Sequence, residues 1–117
     1  MTTISFTIDT QPLPKQRPRV VNGRAYTAKE TREYENHVAW LARIAMGERP
    51  PLAGPLVLEV QFRRTGKRTA DLDNLIKAVT DAMNGIVYAD DQQVRTLLAC
   101  VIYSVDDPGA RVMVRET

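Results

Sequence analysis

The sequence predicts a single small α+β domain over residues 1–117, with elements in the order β-α-β-α-β-β and a mixed sheet covered by two helices. Three observations predict it. Apolar residues alternate with polar ones in two separate stretches, which is the period of a half-buried strand. Two other stretches repeat their apolar residues every three or four positions, which is the period of an amphipathic helix. Between them stand breakers, Pro12 to Pro18, Gly47, Pro50-Pro51 and Gly54-Pro55, that punctuate the chain into elements.

Taken in order, Ile4, Phe6 and Ile8 alternate as a first strand, and the Pro-rich stretch to Pro18 is a loop. Thr27-Ala28-Lys29-Glu30 has the form of a capping box, in which a Thr hydroxyl and a Glu carboxylate satisfy the first free N–H groups of a helix. The helix it opens carries Tyr34, Val38, Leu41 and Ala45 as its core stripe and ends near Gly47. Its His37 and Trp40 are expected in packing or solvent rather than in a site. Leu56, Leu58, Val60 and Phe62 give a second strand. A second helix follows, with Leu72, Leu75, Ile76, Val79, Ala82 and Met83 on the core side, and Asp73, Lys77, Thr80 and Asp81 on the other; Asn84-Gly85 stops it. Ile86-Val87-Tyr88 is read as a short extended piece. Val94 to Val105 is apolar on both faces, as in a central strand. Asp106-Asp107-Pro108-Gly109 then turns the chain into a last strand through Val112 and Val114.

Composition bounds the function. Hydrophobic residues at 44% and charged residues at 26% describe an ordinary globular chain rather than a disordered one. The one cysteine, Cys100, lies in the run Leu97-Leu98-Ala99-Cys100-Val101-Ile102, which predicts a buried, inert thiol and excludes a disulfide within the chain. Met1-Thr2-Thr3-Ile4 lacks the basic-then-apolar plan of a signal peptide, and no apolar run approaches the length of a membrane span, so the cytoplasm is expected. The net charge is only +2 but is unevenly spread: 12 Lys or Arg face 6 Asp or Glu through Arg68, and 4 face 8 beyond it. The cations gather in two segments, Lys15, Arg17 and Arg19 with Arg24 nearby, and Arg63, Arg64, Lys67 and Arg68. Such segments suit phosphates bound without base reading. Aromatic residues, at 6%, give little support to single-strand binding by base stacking.

The chemistry concentrates in Asp71-Leu72-Asp73-Asn74-Leu75-Ile76-Lys77 and in Asp90-Asp91. An Asp at a helix start is ordinarily a cap. Two carboxylates at i and i+2, a lysine one turn on and a distant Asp-Asp pair are another matter, because they repel one another unless a cation or exposure relieves them. From Asp73 to Asn84 the helix climbs about 17 Å at roughly 1.5 Å per residue. The segment from Gly85 to Asp91 reaches back about 20 Å at roughly 3.3 Å per residue. Asp91 can therefore return to the helix start and join Asp71 and Asp73 around one hard cation, with the helix N-terminus turned toward a phosphate. Lys77 can contact the scissile phosphate. A metal-dependent nuclease is the first expectation, and Asp81 is left as an ordinary helix-surface partner of Lys77.

These motifs, with Asp81-Ala82-Met83, Asp90-Asp91-Gln92-Gln93-Val94, the opening Pro14-Lys15-Gln16-Arg17-Pro18-Arg19 and the Tyr26-Thr27 and Tyr34-Glu35 landmarks, resemble the signature of the RusA family of Holliday junction resolvases, the crossover junction endodeoxyribonucleases. The resemblance covers nearly the whole chain. The departure is Met83, where Leu is common. The resemblance implies metal-binding carboxylates at Asp71, Asp73 and Asp91 and a catalytic lysine at Lys77, with Asp90 left open. It further implies Mg²⁺, or Mn²⁺ in its place, and a homodimer that binds four-way DNA junctions and nicks two opposed strands in recombination and repair. The basic segments from Lys15 to Arg19 and from Arg63 to Arg68 would hold the junction arms. Two other expectations stay open: a non-catalytic junction-binding protein, and a metal-dependent phosphohydrolase acting on RNA.

Overall fold

A computed structural model describes residues 2–15, 19–21, 24–26 and 29–117. The described elements are β1 (Thr3–Ile8), β2 (Arg19–Val21), β3 (Arg24–Tyr26), α1 (Lys29–Met46), β4 (Leu56–Arg63), α2 (Leu72–Met83), β5 (Val94–Ile102) and β6 (Gly109–Glu116), with a 3₁₀ turn at Asp91–Gln93. The α+β class and the element order hold, with one addition. A two-stranded antiparallel pair, β2 with β3, lies between Pro18 and Thr27, where no element is expected, and Val21 pairs with Arg24. Asn-Gly is the strongest short-range hairpin signal, and it is legible here. The capping box at Thr27 begins outside the described residues.

The sheet runs β1-β6-β4-β5. β6 is antiparallel to both β1 and β4, and β4 is parallel to β5. Parallel neighbours require a crossover, and α2 is that crossover. β1 and β4, separated by β6, are not neighbours, so the first strand-helix-strand unit is not a simple βαβ.

Both helices pack on one face of the sheet. Ile4, Ile8, Leu58, Val60, Phe62, Val112 and Val114 meet Val38 and Ala42 of α1 and Leu75, Val79 and Met83 of α2 in one core. A fully buried side chain such as Phe62 contributes about 1.5–3 kcal/mol. The helix stripes are rotated slightly from expectation. In α1 the buried line is Tyr34, Val38, Ala42 and Met46, an i,i+4 ridge that winds round the helix, so Leu41 and Ala45 fall on its flank. In α2, Ala78 and Thr80 join the buried set while Leu72 and Ile76 are half-buried. Thr80, expected on the polar side, escapes a desolvation cost because its hydroxyl donates to the Lys77 carbonyl at 3.2 Å.

β5 is the main correction. Its apolar run reads as a central strand, yet it is an edge strand, with Leu97, Leu98 and Ile102 exposed and Cys100 exposed rather than buried. The physical reason is layering. Both helices lie on the same face of the sheet, and nothing among the described residues covers the other, which leaves Leu98, Cys100 and Ile102 open; Leu97, on the helix face beside Leu58, is exposed because β5 is at the edge. On that open face Ser5, Met113, Glu59 and Leu98 stand in one row across the four strands. They line a shallow concavity of about 650 Å³.

Candidate active site

α2 begins where it does because Asp71 caps it. Its backbone is extended, and its carboxylate accepts the Asp73 N–H at 3.0 Å, satisfying one of the free donors of the first turn. Tyr103, just beyond the end of β5, fixes the approach: its hydroxyl accepts the Ala70 N–H at 3.0 Å and donates to the Ala70 carbonyl at 3.2 Å. Asp73, Lys77 and Asp81 follow at one-turn intervals on the side turned away from the core.

Beyond Asn84 the chain folds back at once. Gly85 takes φ +78°, a left-handed conformation cheap only for glycine, and donates to the Tyr88 carbonyl at 2.7 Å. Tyr88 is fully buried and its hydroxyl donates to the Thr80 carbonyl at 2.9 Å. The Asn84 side chain accepts the Asp91 N–H at 3.0 Å. Residues 85–87 are therefore a turn, and of the extended piece expected at 86–88 only Tyr88 makes β-bridges, to Leu52 and Asn84. Asp90 caps the 3₁₀ turn in a capping box with Gln93, which gives it a structural task.

This geometry brings Asp91 back to α2. Tyr88 and Asn84 pin the returning segment against the helix, so the Asp91 carboxylate arrives 3.8 Å from the Lys77 ammonium, which is itself one turn from Asp73. Among the described residues no three His, Cys, Asp or Glu side chains stand close enough together to hold a metal ion. The donors nevertheless fit a hard divalent cation in kind, being carboxylates with no thiolate or imidazole among them. Mg²⁺ commonly takes only one or two protein carboxylates.

Charges alternate around Lys77. Its ammonium is 3.0 Å from one Asp81 oxygen, and the other Asp81 oxygen is 3.3 Å from the Lys15 ammonium. Lys15 also pairs with Glu35 of α1 at 2.5 Å. Asp81 raises the pKa of Lys77 first, Asp91 adds to it, and burial and Lys15 oppose it. For Lys15, burial works against the charge, but Glu35 and Asp81 outweigh it and its pKa too is raised.

The two basic segments meet this helix in different ways. The Lys15 N–H donates to the Asn74 carbonyl at 2.8 Å, which docks the N-terminal loop on α2, while its side chain is engaged with carboxylates. Arg17 lies outside the described residues, and of Arg19 only the backbone, in β2, is described. Arg63 donates to the Asp107 carbonyl at 3.1 Å and Arg64 to the Arg68 carbonyl at 3.2 Å. Lys67 and Arg68 are exposed on the loop that leads straight to Asp71. Sequence reasoning does not reach Tyr103, the bond from Asp91 to the Asn84 side chain or the double pairing of Asp81. Each depends on a partner distant along the chain, and no local pattern announces it.

Residues 9–115, which include every one of these side chains, match the family Endodeoxyribonuclease RusA. The chain belongs to the RusA family. Among its relatives, the crossover junction endodeoxyribonuclease RusA of Escherichia coli strain K12 is 33% identical over 95 residues, which cover 80% of this chain and 78% of that protein. YqaN of Bacillus subtilis, itself uncharacterized, is 28% identical over 141 residues, covering 99% and 98% of the two chains. RusA membership makes α2, with its carboxylates and Lys77, the candidate centre of a nuclease. Among the described residues of this RusA chain, no helix is long and apolar enough to cross a membrane.

Proposed function

We propose that this chain is a structure-selective, Mg²⁺-dependent endodeoxyribonuclease of the cytoplasm that resolves four-way DNA junctions by paired, symmetric nicks during recombination and repair. The observation that carries the reading is the Lys77 ammonium, held on the outer face of α2 within reach of Asp81 and Asp91 and one turn from Asp73, in a RusA-family chain. Lys77 offers a fixed positive charge to the scissile phosphate, where negative charge grows as the phosphodiester is attacked. The positive dipole end of α2, whose first-turn N–H groups at Asp73, Asn74 and Leu75 are taken by Asp71, adds to the attraction for the same anion. Lys67 and Arg68 supply sequence-independent attraction for the backbone of an arm. Asp71, Asp73 and Asp91 would hold Mg²⁺, or Mn²⁺ in its place, which when bound lowers the pKa of water and neutralises developing charge.

Homodimerisation belongs to the same proposal. Two opposed strands of a junction are related by a twofold axis, and a C2 dimer presents two identical sites to them. An exposed edge strand with Leu97, Leu98 and Ile102 is an invitation to pairing that a soluble monomer ordinarily blunts. A second copy on the open sheet face would bury Leu98 and Ile102.

The test is cleavage of a labelled synthetic four-way junction beside a linear duplex and an RNA of the same sequence, with Mg²⁺ or with EDTA. Symmetric nicking of the junction alone, lost in EDTA, supports the reading. Junction binding without cutting turns it to a non-catalytic binder, and cutting of the RNA turns it to a phosphohydrolase.

A further inference from the structure

We propose that Asp81 is a positioning residue, which draws the Lys77 ammonium away from the Asp91 carboxylate and fixes it, while Lys15 and Glu35 hold Asp81 itself in place. The inference rests on the reading of Lys77 as the cation that serves the scissile phosphate. Lys77 has three carboxylates within its range: Asp73 and Asp81, each one turn away on the same helix, and Asp91 across the turn. A lysine on a four-carbon stem chooses among them by distance and by what else each carboxylate binds. It stands 3.0 Å from Asp81 and 3.8 Å from Asp91.

Helix stabilisation does not account for this choice. A lysine placed one turn before its acid is the weaker order for such a pair, and exposed pairs of this kind contribute little to stability. The feature that sets Asp81 apart is its second oxygen. That oxygen faces Lys15, which arrives from the N-terminal loop and is tied at its backbone to Asn74 and at its ammonium to Glu35. The carboxylate is thus held by the loop and by α2, with α1 anchoring the Lys15 that holds it, and Asp81 is largely shielded while Lys77 is half exposed. A short side chain held in this way can fix a long one. Without it, Lys77 is free to neutralise Asp91 or Asp73, the two acids that the proposed function needs unpaired. The same network makes Lys15 an internal counter-ion, engaged before any DNA arrives.

The experiment compares the wild type with Asp81→Asn, Asp81→Glu and Glu35→Ala by two measurements. The first is ¹⁵N relaxation of the Lys77 ammonium in the free protein, which reads its order without any cleavage. The second is single-turnover cleavage of a four-way junction at saturating protein, beside the dissociation constant of that junction. In Asp81→Asn, Lys77 should lose order and the cleavage rate fall roughly tenfold, with junction affinity unchanged or tighter, as when an interaction made only in the transition state is removed. Asp81→Glu should restore most of both, and Glu35→Ala, which removes an anchor of Lys15 but leaves the Asp81 carboxylate facing Lys77, should lower both by clearly less than Asp81→Asn does.

Wild-type cleavage or an ordered Lys77 in Asp81→Asn overturns the proposal. So does a loss in Glu35→Ala equal to that in Asp81→Asn, since the carboxylate would then act only by anchoring the Lys15 loop. A wild type that orders Lys77 through Asp81 yet cuts no junction instead overturns the nuclease reading on which the catalytic purpose of Asp81 stands.

Discussion

Lys77 and Asp91 face each other across 3.8 Å, although one belongs to the outer face of α2 and the other to the 3₁₀ turn beyond its end. The approach is imposed from beneath. Tyr88 is buried under the returning segment and bonded to Thr80, and Asn84 grips the Asp91 backbone, so the acid has little choice of position. The core residues of α2 thereby decide the composition of its solvent face.

Asp71→Asn and Asp73→Asn are expected to abolish cleavage while preserving junction binding, since each removes an anionic oxygen donor and reduces repulsion of DNA. Asp71 is the more discriminating of the two. Asn caps a helix about as well as Asp, so stability should change by only a few tenths of a kcal/mol, and a cutting Asp71→Asn protein would reduce this residue to its capping role. Gel-shift and cleavage assays on one preparation decide it.

Tyr34 and Tyr88 are both buried but should respond oppositely to Phe. The Tyr34 hydroxyl has no hydrogen-bond partner among the described residues, so Tyr34→Phe should stabilise the fold by about 1 kcal/mol. Tyr88→Phe loses the bond to Thr80 and should cost about the same amount. Burial raises the pKa of both phenols, and at Tyr88 the Asp91, Asp81 and Asp90 carboxylates add to it. The native state therefore keeps protons that the unfolded chain gives up. This stability is complete below the ordinary value of 10.0 and is lost as pH rises from there toward the native values. Denaturant titrations at about pH 8 and about pH 10.5, on either side of the ordinary phenol value, should show a shallower alkaline fall in each variant than in the wild type; an identical fall would contradict the assignment.

Neutralising Lys67 and Arg68 together should weaken junction binding and lower the slope of log affinity against log salt by roughly 0.9 for each phosphate no longer neutralised. Arg63→Gln should act differently, because its guanidinium donates to the Asp107 carbonyl and braces the turn before β6. Its effect is expected in thermal stability with the salt slope retained. Equal slopes for the wild type and the double variant would remove the Lys67 loop from the DNA surface.

Leu98→Asp puts a charge on the open sheet face at its β5 edge while leaving the core untouched, since this residue is 58% exposed. Sedimentation velocity should show a dimer for the wild type and a monomer with unchanged circular dichroism for the variant. A variant that remains dimeric moves the interface elsewhere.

Local pattern carries most of the fold. The alternation in β1 and β4, the apolar stripes of the two helices, the Asp71 start and the Asn84-Gly85 stop each express a preference of neighbouring residues, and neighbours stand in the sequence itself. The pairing of β2 with β3 is equally local, with Asn22-Gly23 between them in the sequence, although no element is expected between Pro18 and Thr27. β5 departs from expectation for a different reason: an apolar strand at an edge and one at a centre have the same pattern, and they differ only in what the rest of the chain, or another chain, lays against them.

By itself, then, the amino-acid order determined which residues bear the chemistry, because helical periodicity alone puts Asp73, Lys77 and Asp81 on one outer face and the Asp71 cap at its head. Tertiary structure alone decided how these charges pair. Lys15, Glu35 and Asp91 come to α2 from separate parts of the chain, and their distances depend on where buried Tyr88, the Asn84 side chain and the docked N-terminal loop hold them. Electrostatic partnership is set over a few ångströms of space, a quantity that separation along the chain does not contain.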